Sequence, residues 1–154
     1  MDLDVAGRTV GLTSPDKVMF PDGGLTKLDV VDYYRSVEDQ LMGAIRGRPV
    51  LMQRFPSGVG GSSFFQKRVP NDAPDWLETS VVSTPNGTTS RALVAADLAH
   101  IVWAVNLGCL GFHVWPNLAS DDEHADELRI DLDPQPGVAF DEARVAAREL
   151  KTLF

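Results

Sequence analysis

The stretch Leu128-Arg-Ile-Asp-Leu-Asp-Pro134 alternates acidic and aliphatic residues and is closed by a proline. In a β-strand, alternate side chains point to opposite faces, which would place Asp131 and Asp133 on one face and Ile130 and Leu132 on the other. The two aspartate Cβ atoms would then lie about 6.5 to 7 Å apart. Carboxylates at this spacing can bind hard cations such as Mg²⁺ or Mn²⁺. The pattern is typical of a metal-binding strand, and it also fits a solvated edge strand with one polar face.

The composition around this stretch is that of an ordinary soluble globular protein. The chain has 154 residues, of which 44% are hydrophobic and 23% charged, which is enough for one domain with a core. No apolar run reaches the length of a membrane span, and the acidic start Met1-Asp-Leu-Asp4 does not resemble a signal peptide. The only cysteine, Cys109, lies among apolar residues. We therefore expect a buried thiol in a reducing, cytoplasmic protein.

The net charge of −8 is the wrong sign for a protein that binds a polyanion. The charges are unevenly distributed, however. Residues 1–68 carry 9 Lys and Arg against 8 Asp and Glu, whereas residues 69–154 carry 5 against 14. Basic residues thus come early in the chain and acidic residues come late, so one part can offer cations to an anionic group and the other can offer carboxylates to a metal ion.

The first third of the chain predicts a pair of lysines at a helix N-terminus. A short strand over 8–13 is followed by turns at 14–17 and 21–24, and Thr26-Lys-Leu-Asp29 is a capping box that should begin a helix running to about Arg46. Lys17 and Lys27 flank this helix start, where free amides and the helix dipole favour anions. The alternative is two solvated lysines.

The next block combines aromatic and cationic residues. Pro49–Arg54 has strand character, a glycine-rich loop covers 57–63, and Phe64 and Phe65 follow, of which one could enter the core while the other faces outward. An outward ring near Arg54, Lys67 and Arg68 is what single-stranded nucleic acid needs, with cations for phosphates and a ring for a base. The alternative is that both rings belong to the core.

The remaining pattern predicts an α+β fold with mixed or antiparallel strands and about three helices. Strand-like runs at 77–84 and 88–94 meet at Asn86-Gly87, a strong hairpin signal. Helices are predicted over 95–107, ended by Gly108, and over 140–154, with Phe140 among its core positions. His113 follows a buried-looking strand, where a lone histidine is more often structural than a ligand. The acidic loop 121–127 is predicted to be solvated.

Four blocks, in order, resemble the archaeo-eukaryotic primase superfamily in the version carried by the polymerase domain of bacterial DNA ligase D. They are Leu12–Pro21 with Leu25–Lys27, Gly47–Pro49 leading to Phe64–Lys67, Leu107–His113, and Arg129–Gly137. The last is similar to the first catalytic motif of that family. The family's second and third motifs have no counterpart in these 154 residues, so we expect a single partial domain, the N-terminal half of a ligase-D-type polymerase domain.

The resemblance implies roles for individual residues. Lys17 and Lys27, together with Ser14, would bind the 5′-phosphate of a DNA end, although the family usually has asparagine where Ser14 stands. Phe64 and Phe65, with Lys67 and Arg54, would contact the template strand. Asp131 and Asp133 would be catalytic ligands of Mn²⁺ or Mg²⁺, and His113 is a candidate for the nucleotide site.

The implied function is template-directed nucleotide addition during non-homologous end joining. The implied partners are 5′-phosphorylated DNA, nucleoside triphosphates if the domain is completed, and end-joining proteins such as Ku and the ligase, in a cytoplasmic, nucleoid-associated setting. Two other readings stay open. One is a catalytically inactive chain that binds DNA ends or a partner, and the other is an α+β domain whose acidic strand edge binds stray divalent ions.

Overall fold

The structure, a computed structural model, describes residues 1–83 and 87–154. Its strands are β1 (Asp2–Val5), β2 (Arg8–Gly11), β3 (Val18–Phe20), β4 (Leu25–Thr26), β5 (Pro49–Arg54), β6 (Phe64–Gln66), β7 (Thr79–Ser83), β8 (Thr89–Val94) and β9 (Cys109–Val114). Its helices are α1 (Lys27–Ser36), α2 (Glu38–Ile45), α3 (Leu98–Asn106) and α4 (Phe140–Leu153). The predicted α+β class is confirmed. None of the described helices has the length and apolar character that a membrane span requires.

The main sheet has five antiparallel strands arranged around β5. Strand β9 runs along one edge of β5, while β8 and β6 pair with the first and second halves of its other edge, and β7 pairs with β8. The β7–β8 pair confirms the predicted hairpin, with Ser83 opposite Thr89. The turn residues 84–86, including the predicted Asn86, lie outside the described part of the chain. Two smaller antiparallel pairs, β1–β2 and β3–β4, complete the strands.

Helix α3 lies at the centre of the core, and all its residues from Leu98 to Val105 are buried. An α-helix that is apolar on all sides is stable only when it is covered on all sides. Prediction placed the helix start at Ala95, but the helix begins at Leu98 because the Asp97 carboxylate caps it, accepting from the amides of Ala99 and His100. Such a cap stabilises a helix by about 1 kcal/mol.

Asp97 also joins the N-terminal hairpin to α3. The backbone N–H of Glu78 donates to His100 Nε2 at 3.0 Å, so Nδ1 carries the ring proton and donates to Asp97 Oδ1 at 2.7 Å. The guanidinium of Arg8 pairs with the second carboxylate oxygen. Burial raises the pKa of Asp97, but the hydrogen bond from His100 and the charge of Arg8 outweigh this effect and lower it. The hairpin is thereby fixed against the helix.

The predicted long helix from Thr26 to Arg46 is two helices. The capping box is confirmed, since Thr26 and Asp29 exchange side-chain and backbone hydrogen bonds. The break falls at Val37, which ends α1 and precedes α2. Just before it, the Ser36 hydroxyl donates to the carbonyl of Tyr33 at 2.7 Å, the same carbonyl that accepts from the Val37 amide. Val37 itself has a non-helical backbone, with φ −115° and ψ 19°, and the serine bond to the shared carbonyl weakens the helix at this point.

The predicted strand over residues 128–134 is wrong. These residues pair with no strand in the described structure, and Ile130 is 47% exposed. Alternation predicts a strand only where a neighbouring strand edge and a covered face are available. The C-terminal helix is confirmed as α4, but Phe140, placed in the core by prediction, is 73% exposed, and no residue of α4 is buried in the described structure.

Candidate nucleic-acid interface

Three cationic side chains surround one cavity of about 250 Å³ on the side of the domain where α1 begins. We call it the cationic cavity; its wall consists of Thr13, Lys17, Met19, Lys27, Arg54, Pro56, Asn106, Leu107 and Gly108. The predicted pair Lys17 and Lys27 therefore meets at one site, and no carboxylate belongs to this wall. Such a cavity can bind an anion the size of a phosphate group.

The main chain positions the two lysines. The amide of Lys27 donates to the carbonyl of Lys17 at 2.8 Å, and the amide of Leu28 donates to the carbonyl of Pro15 at 3.0 Å. The first turn of α1 is thereby joined to the turn that carries Lys17. Lys27 is the first residue of this helix, so the positive end of the helix dipole lies beside the cavity.

Lys27 is unusual for a lysine because it is buried, with only 5% of its surface exposed. Its ammonium group donates to the carbonyls of Thr13 at 2.7 Å and Asn106 at 3.1 Å. Burial and the neighbouring charge of Lys17 lower the pKa of Lys27. Both effects disfavour the charged amine, and an anion bound beside it would offset them.

Arg54 connects the cavity to the aromatic edge of the sheet. Its Nε donates to the carbonyl of Leu107 at 2.8 Å and its Nη1 to the Gln66 side chain at 2.6 Å, while its guanidinium lies 5.2 Å from the centre of the Phe64 ring. Burial lowers the pKa of Arg54, but a guanidinium still stays charged at any physiological pH. Prediction grouped Arg54 with the template residues, whereas the structure places it in the cavity wall beside the lysines.

Phe64 and Phe65 are both exposed, at 46% and 58%, so the alternative that both rings belong to the core is wrong, and neither ring enters it. They lie on β6, which pairs only with β5 among the described strands, so its other backbone edge has no strand partner there. Phe65 packs edge-on against His113, with ring centres 5.3 Å apart. His113 and Lys67 both line a neighbouring groove of about 480 Å³, which we call the sheet-face groove.

Ser14 belongs to a turn beside the cavity rather than to its described wall. It has a φ of +48°, which is unfavourable for serine, and its carbonyl accepts from the Lys17 amide at 3.1 Å. Asparagine tolerates this left-handed conformation better than serine does. The turn geometry thus gives a physical reason for the asparagine that the resemblance led us to expect.

Asp131 and Asp133 line one surface depression of about 390 Å³ together with Glu142 of α4. Their carboxylate oxygens have the donor chemistry that Mg²⁺ and Mn²⁺ prefer. Within residues 1–83 and 87–154, no three Asp, Glu, His or Cys side chains are grouped closely enough to hold a metal ion. The two aspartates therefore fit a hard divalent cation by chemistry, and water or substrate phosphates would have to supply its other ligands.

The acidic loop 121–127 was predicted to be solvated, but its last two residues contact the rest of the domain. Asp126 and Glu127 both form ion pairs with the buried side chain of Arg48. The Arg48 hydrogen bonds lower the pKa of Asp126. Sequence reasoning missed this contact because the partners lie 78 residues apart; the only signal was an arginine between Gly47 and Pro49, where a strand begins. Thr13 and Asn106, which support Lys27, were also missed.

A sequence model of the LigD primase-polymerase domain matches residues 26–154. The chain belongs to this family. It is 36% identical over 147 residues to the multifunctional non-homologous end joining protein LigD of Mycolicibacterium smegmatis, a match that covers 94% of this chain and 19% of that protein. It is also 36% identical over 142 residues to the bifunctional LigD of Bacillus subtilis, covering 92% of this chain and 22% of the relative.

A solved structure supports the same assignment. The polymerase domain of Mycobacterium tuberculosis ligase D, in complex with DNA, shares 36% sequence identity with this chain at a TM-score of 0.65, over 70% of this chain and 37% of that domain. The chain thus spans about a fifth of the length of the LigD proteins that it matches and over a third of the solved polymerase domain.

In this LigD-family chain, the predicted site residues occupy three places. Lys17, Lys27 and Arg54 line the cationic cavity, which Phe64 adjoins through Arg54. Lys67 and His113 line the sheet-face groove beside Phe65. Asp131 and Asp133 lie on the exposed C-terminal segment. The structure brings together the residues of the first two places but does not bring the aspartates to either of them.

Proposed function

We propose that this chain is the DNA-end-binding part of a template-directed nucleotidyltransferase that acts in non-homologous end joining. The observation that carries the proposal is the cationic cavity, where Lys17, Lys27 and Arg54 meet without a carboxylate in the described wall. The proposal is supported by the family assignment, by relatives named as end joining proteins, and by the likeness to a polymerase domain in complex with DNA.

A terminal 5′-phosphate fits this cavity better than an internal backbone phosphate does. A terminal phosphate can carry up to two negative charges and three free oxygens, and these match several donors that converge from different directions. Lys27, which is buried, and Lys17, which is exposed, both line the cavity wall. The cavity would therefore select a phosphorylated DNA end.

The template strand, which pairs with the phosphorylated strand, would pass beside β6. Arg54 lies in the cavity wall and also against the Phe64 ring, so a template base close to the held 5′ end would meet an exposed aromatic side chain. Base–aromatic stacking contributes roughly 1 to 3 kcal/mol per base. We assign Phe64, Phe65 and Lys67 to the template on this basis, and we assign His113, which lines the sheet-face groove beside Phe65, to the nucleotide site.

Asp131 and Asp133 would hold Mn²⁺ or Mg²⁺, which when bound would neutralise the triphosphate of an incoming nucleotide and activate a DNA 3′-hydroxyl. Ku and the ligase are the expected protein partners of the complete end-joining complex.

A second candidate function is DNA-end binding without catalysis. It is favoured by residues 128–134, which have no strand partner in the described structure, and by Asp131 and Asp133, which line a depression whose wall shares no residue with the cationic cavity.

The first prediction concerns end recognition. The chain should bind a recessed DNA duplex more tightly when the downstream 5′ end is phosphorylated, as measured by fluorescence anisotropy with matched phosphorylated and hydroxyl ends. Changing both Lys17→Ala and Lys27→Ala should abolish this preference. The control is Arg35→Gln, which removes a cation from α1 outside the cavity, where Arg35 pairs with Asp32, and should leave the preference intact. Equal affinity of the unchanged chain for both ends would refute the proposal.

The second prediction concerns the metal. The chain should bind Mn²⁺ weakly, because two carboxylates give a hard cation too few protein ligands, and Asp131→Asn or Asp133→Asn should each abolish the binding seen by electron paramagnetic resonance. Glu123→Gln, in the acidic loop, is the control. The purified 154 residues should show no template-dependent extension. Robust extension would overturn the non-catalytic candidate, and unchanged Mn²⁺ affinity in both asparagine variants would remove the metal from the proposal.

A further inference from the structure

Arg48 is a buried cation that belongs to none of the sites described above. It stands immediately before β5, and its residue surface is only 4% exposed. Its two terminal nitrogens donate to the two oxygens of Asp126 at 2.8 Å each, and Nη2 lies 2.6 Å from Glu127 Oε1. We call Arg48, Asp126 and Glu127 the Arg48 clasp. It joins the start of the central strand to the end of the acidic loop.

The clasp extends directly towards the two aspartates. Glu127 Oε2 accepts from Arg129 at 2.8 and 2.6 Å, and Arg129 also donates to the carbonyl of Val114 at 3.4 Å. The amides of Asp126 and Glu127 donate to the carbonyl of Pro116 at 3.1 and 3.3 Å. Residues 126–129 are therefore attached beside the end of β9, and Asp131 follows two residues later.

The chemistry of this contact indicates a role in orientation. The carboxylate partners of Arg48 are 45% and 38% exposed, and ion pairs with solvent-exposed partners stabilise a fold little. A planar guanidinium can bind one carboxylate through two hydrogen bonds and a second carboxylate at its edge. It then fixes the distance and the direction of both carboxylates relative to the arginine. By contrast, residues 128–134 have no strand partner in the described structure, so the clasp is the anchored point from which they extend.

We propose that Arg48 is a positioning residue for Asp131 and Asp133. By holding Asp126 and Glu127, it fixes the root of the acidic segment and limits the directions in which the two metal-type carboxylates can point. The inference rests on the metal role of these aspartates in the proposed function. Groups that orient metal ligands from outside the coordination shell commonly alter metal affinity by about 10- to 100-fold.

The test opens the clasp from its exposed side, at carboxylates whose side chains are 45% and 38% exposed, and the protection of α3 shows whether the core tolerates the change. Asp126→Asn with Glu127→Gln removes both partners of Arg48, and Asp122→Asn with Glu123→Gln makes the same charge change in the same loop, away from Arg48. Hydrogen exchange followed by mass spectrometry reports on the metal-free chain, and electron paramagnetic resonance reports Mn²⁺ affinity. In the clasp variant, we expect faster exchange at residues 126 and 127 and Mn²⁺ binding weakened at least about tenfold, with unchanged protection of α3. In the control variant, we expect none of these changes.

Each other outcome has a defined meaning. Equal Mn²⁺ affinity in the clasp variant and the unchanged chain would overturn the positioning role, provided that Asp131→Asn abolishes binding. Loss of α3 protection in the clasp variant would also overturn it, because Arg48 would then support the whole fold. If Asp131→Asn leaves Mn²⁺ affinity unchanged, the proposed metal role fails, whereas faster exchange at 126 and 127 would still show that the clasp holds the segment.

Discussion

Ser14 occupies a backbone conformation that costs free energy. Its φ of +48° lies in the left-handed region, where a non-glycine residue loses roughly 1 to 2 kcal/mol, and asparagine loses less because its side chain can bond locally to the backbone. The turn that it forms presents Lys17, whose amide bonds to the Ser14 carbonyl at 3.1 Å. The conformation of this one residue therefore bears on both stability and the cationic cavity.

The third prediction is that Ser14→Asn stabilises the chain. The free energy of unfolding in urea should rise by several tenths of a kcal/mol, up to about 1 kcal/mol, as the left-handed turn becomes less strained. Ser63→Asn, at an exposed loop position without positive φ, should change it little. A destabilised Ser14→Asn variant would mean that the serine hydroxyl itself supports the turn.

Single residues also show how far sequence reasoning reaches. Lys17 and Lys27 could be paired from the sequence because a turn and a capping box bring them together through local hydrogen bonds. The contact between Arg48 and Asp126 could not be predicted, since its partners are distant in the sequence and each resembles an ordinary surface charge. The exposure of both phenylalanines could not be predicted, because the sequence fits a core ring as well as an outward ring and does not show what covers β6.

At the scale of elements, close backbone approach positions the lysine-bearing turn. A Cβ built on Gly58 would lie 2.8 Å from the carbonyl oxygen of Met19 and 2.9 Å from that of Val18, and its φ is +76°. The amide of Val59 donates to the Met19 carbonyl at 2.8 Å. Strand β3 is therefore packed backbone to backbone against the loop that contains Pro56, the partner of the Lys17 ammonium.

The fourth prediction separates close approach from backbone conformation. Gly24 has a similar φ of +64°, but a Cβ there would meet nothing within 4 Å. Gly24→Ala should cost roughly 1 to 2 kcal/mol of unfolding free energy for the left-handed conformation alone. Gly58→Ala should cost more, because β3 must move, and should also weaken binding of 5′-phosphorylated DNA. Equal losses of stability with unchanged DNA affinity would show that β3 does not position Lys17.

Elements with local signals were predictable and those that depend on neighbours were not. The hairpin β7–β8 and the capped start of α1 follow from turn and capping chemistry. The run from Leu128 to Pro134 has a strand pattern, but a strand forms only against a partner edge. Helix α4 was predicted from periodicity, yet its apolar face is exposed, with Phe140 and Leu153 at 73% and 74%, because no described element covers it.

For the molecule as a whole, local geometry must overcome an unfavourable net charge. The chain carries −8 overall, which repels DNA at long range, but salt screens such repulsion beyond about 10 Å at 0.1 M. The cationic cavity collects Lys17, Lys27 and Arg54, while the acids of residues 121–133 lie on the C-terminal segment. The fold thus preserves the separation of charge that was visible in the sequence, and family membership places it in a polymerase domain.

The measurement that tests the cationic cavity most directly is the salt dependence of binding to a 5′-phosphorylated recessed end. Each phosphate contact contributes about −0.9 to the slope of log K against log salt concentration. We expect a shallower slope if Lys17 and Lys27 are both changed to alanine, because these lysines would hold the terminal phosphate. The slope of this double variant should differ from that of the unchanged chain by up to about 2. The slope of Lys17→Ala alone should lie between those two values. Identical slopes in all three proteins would contradict the account.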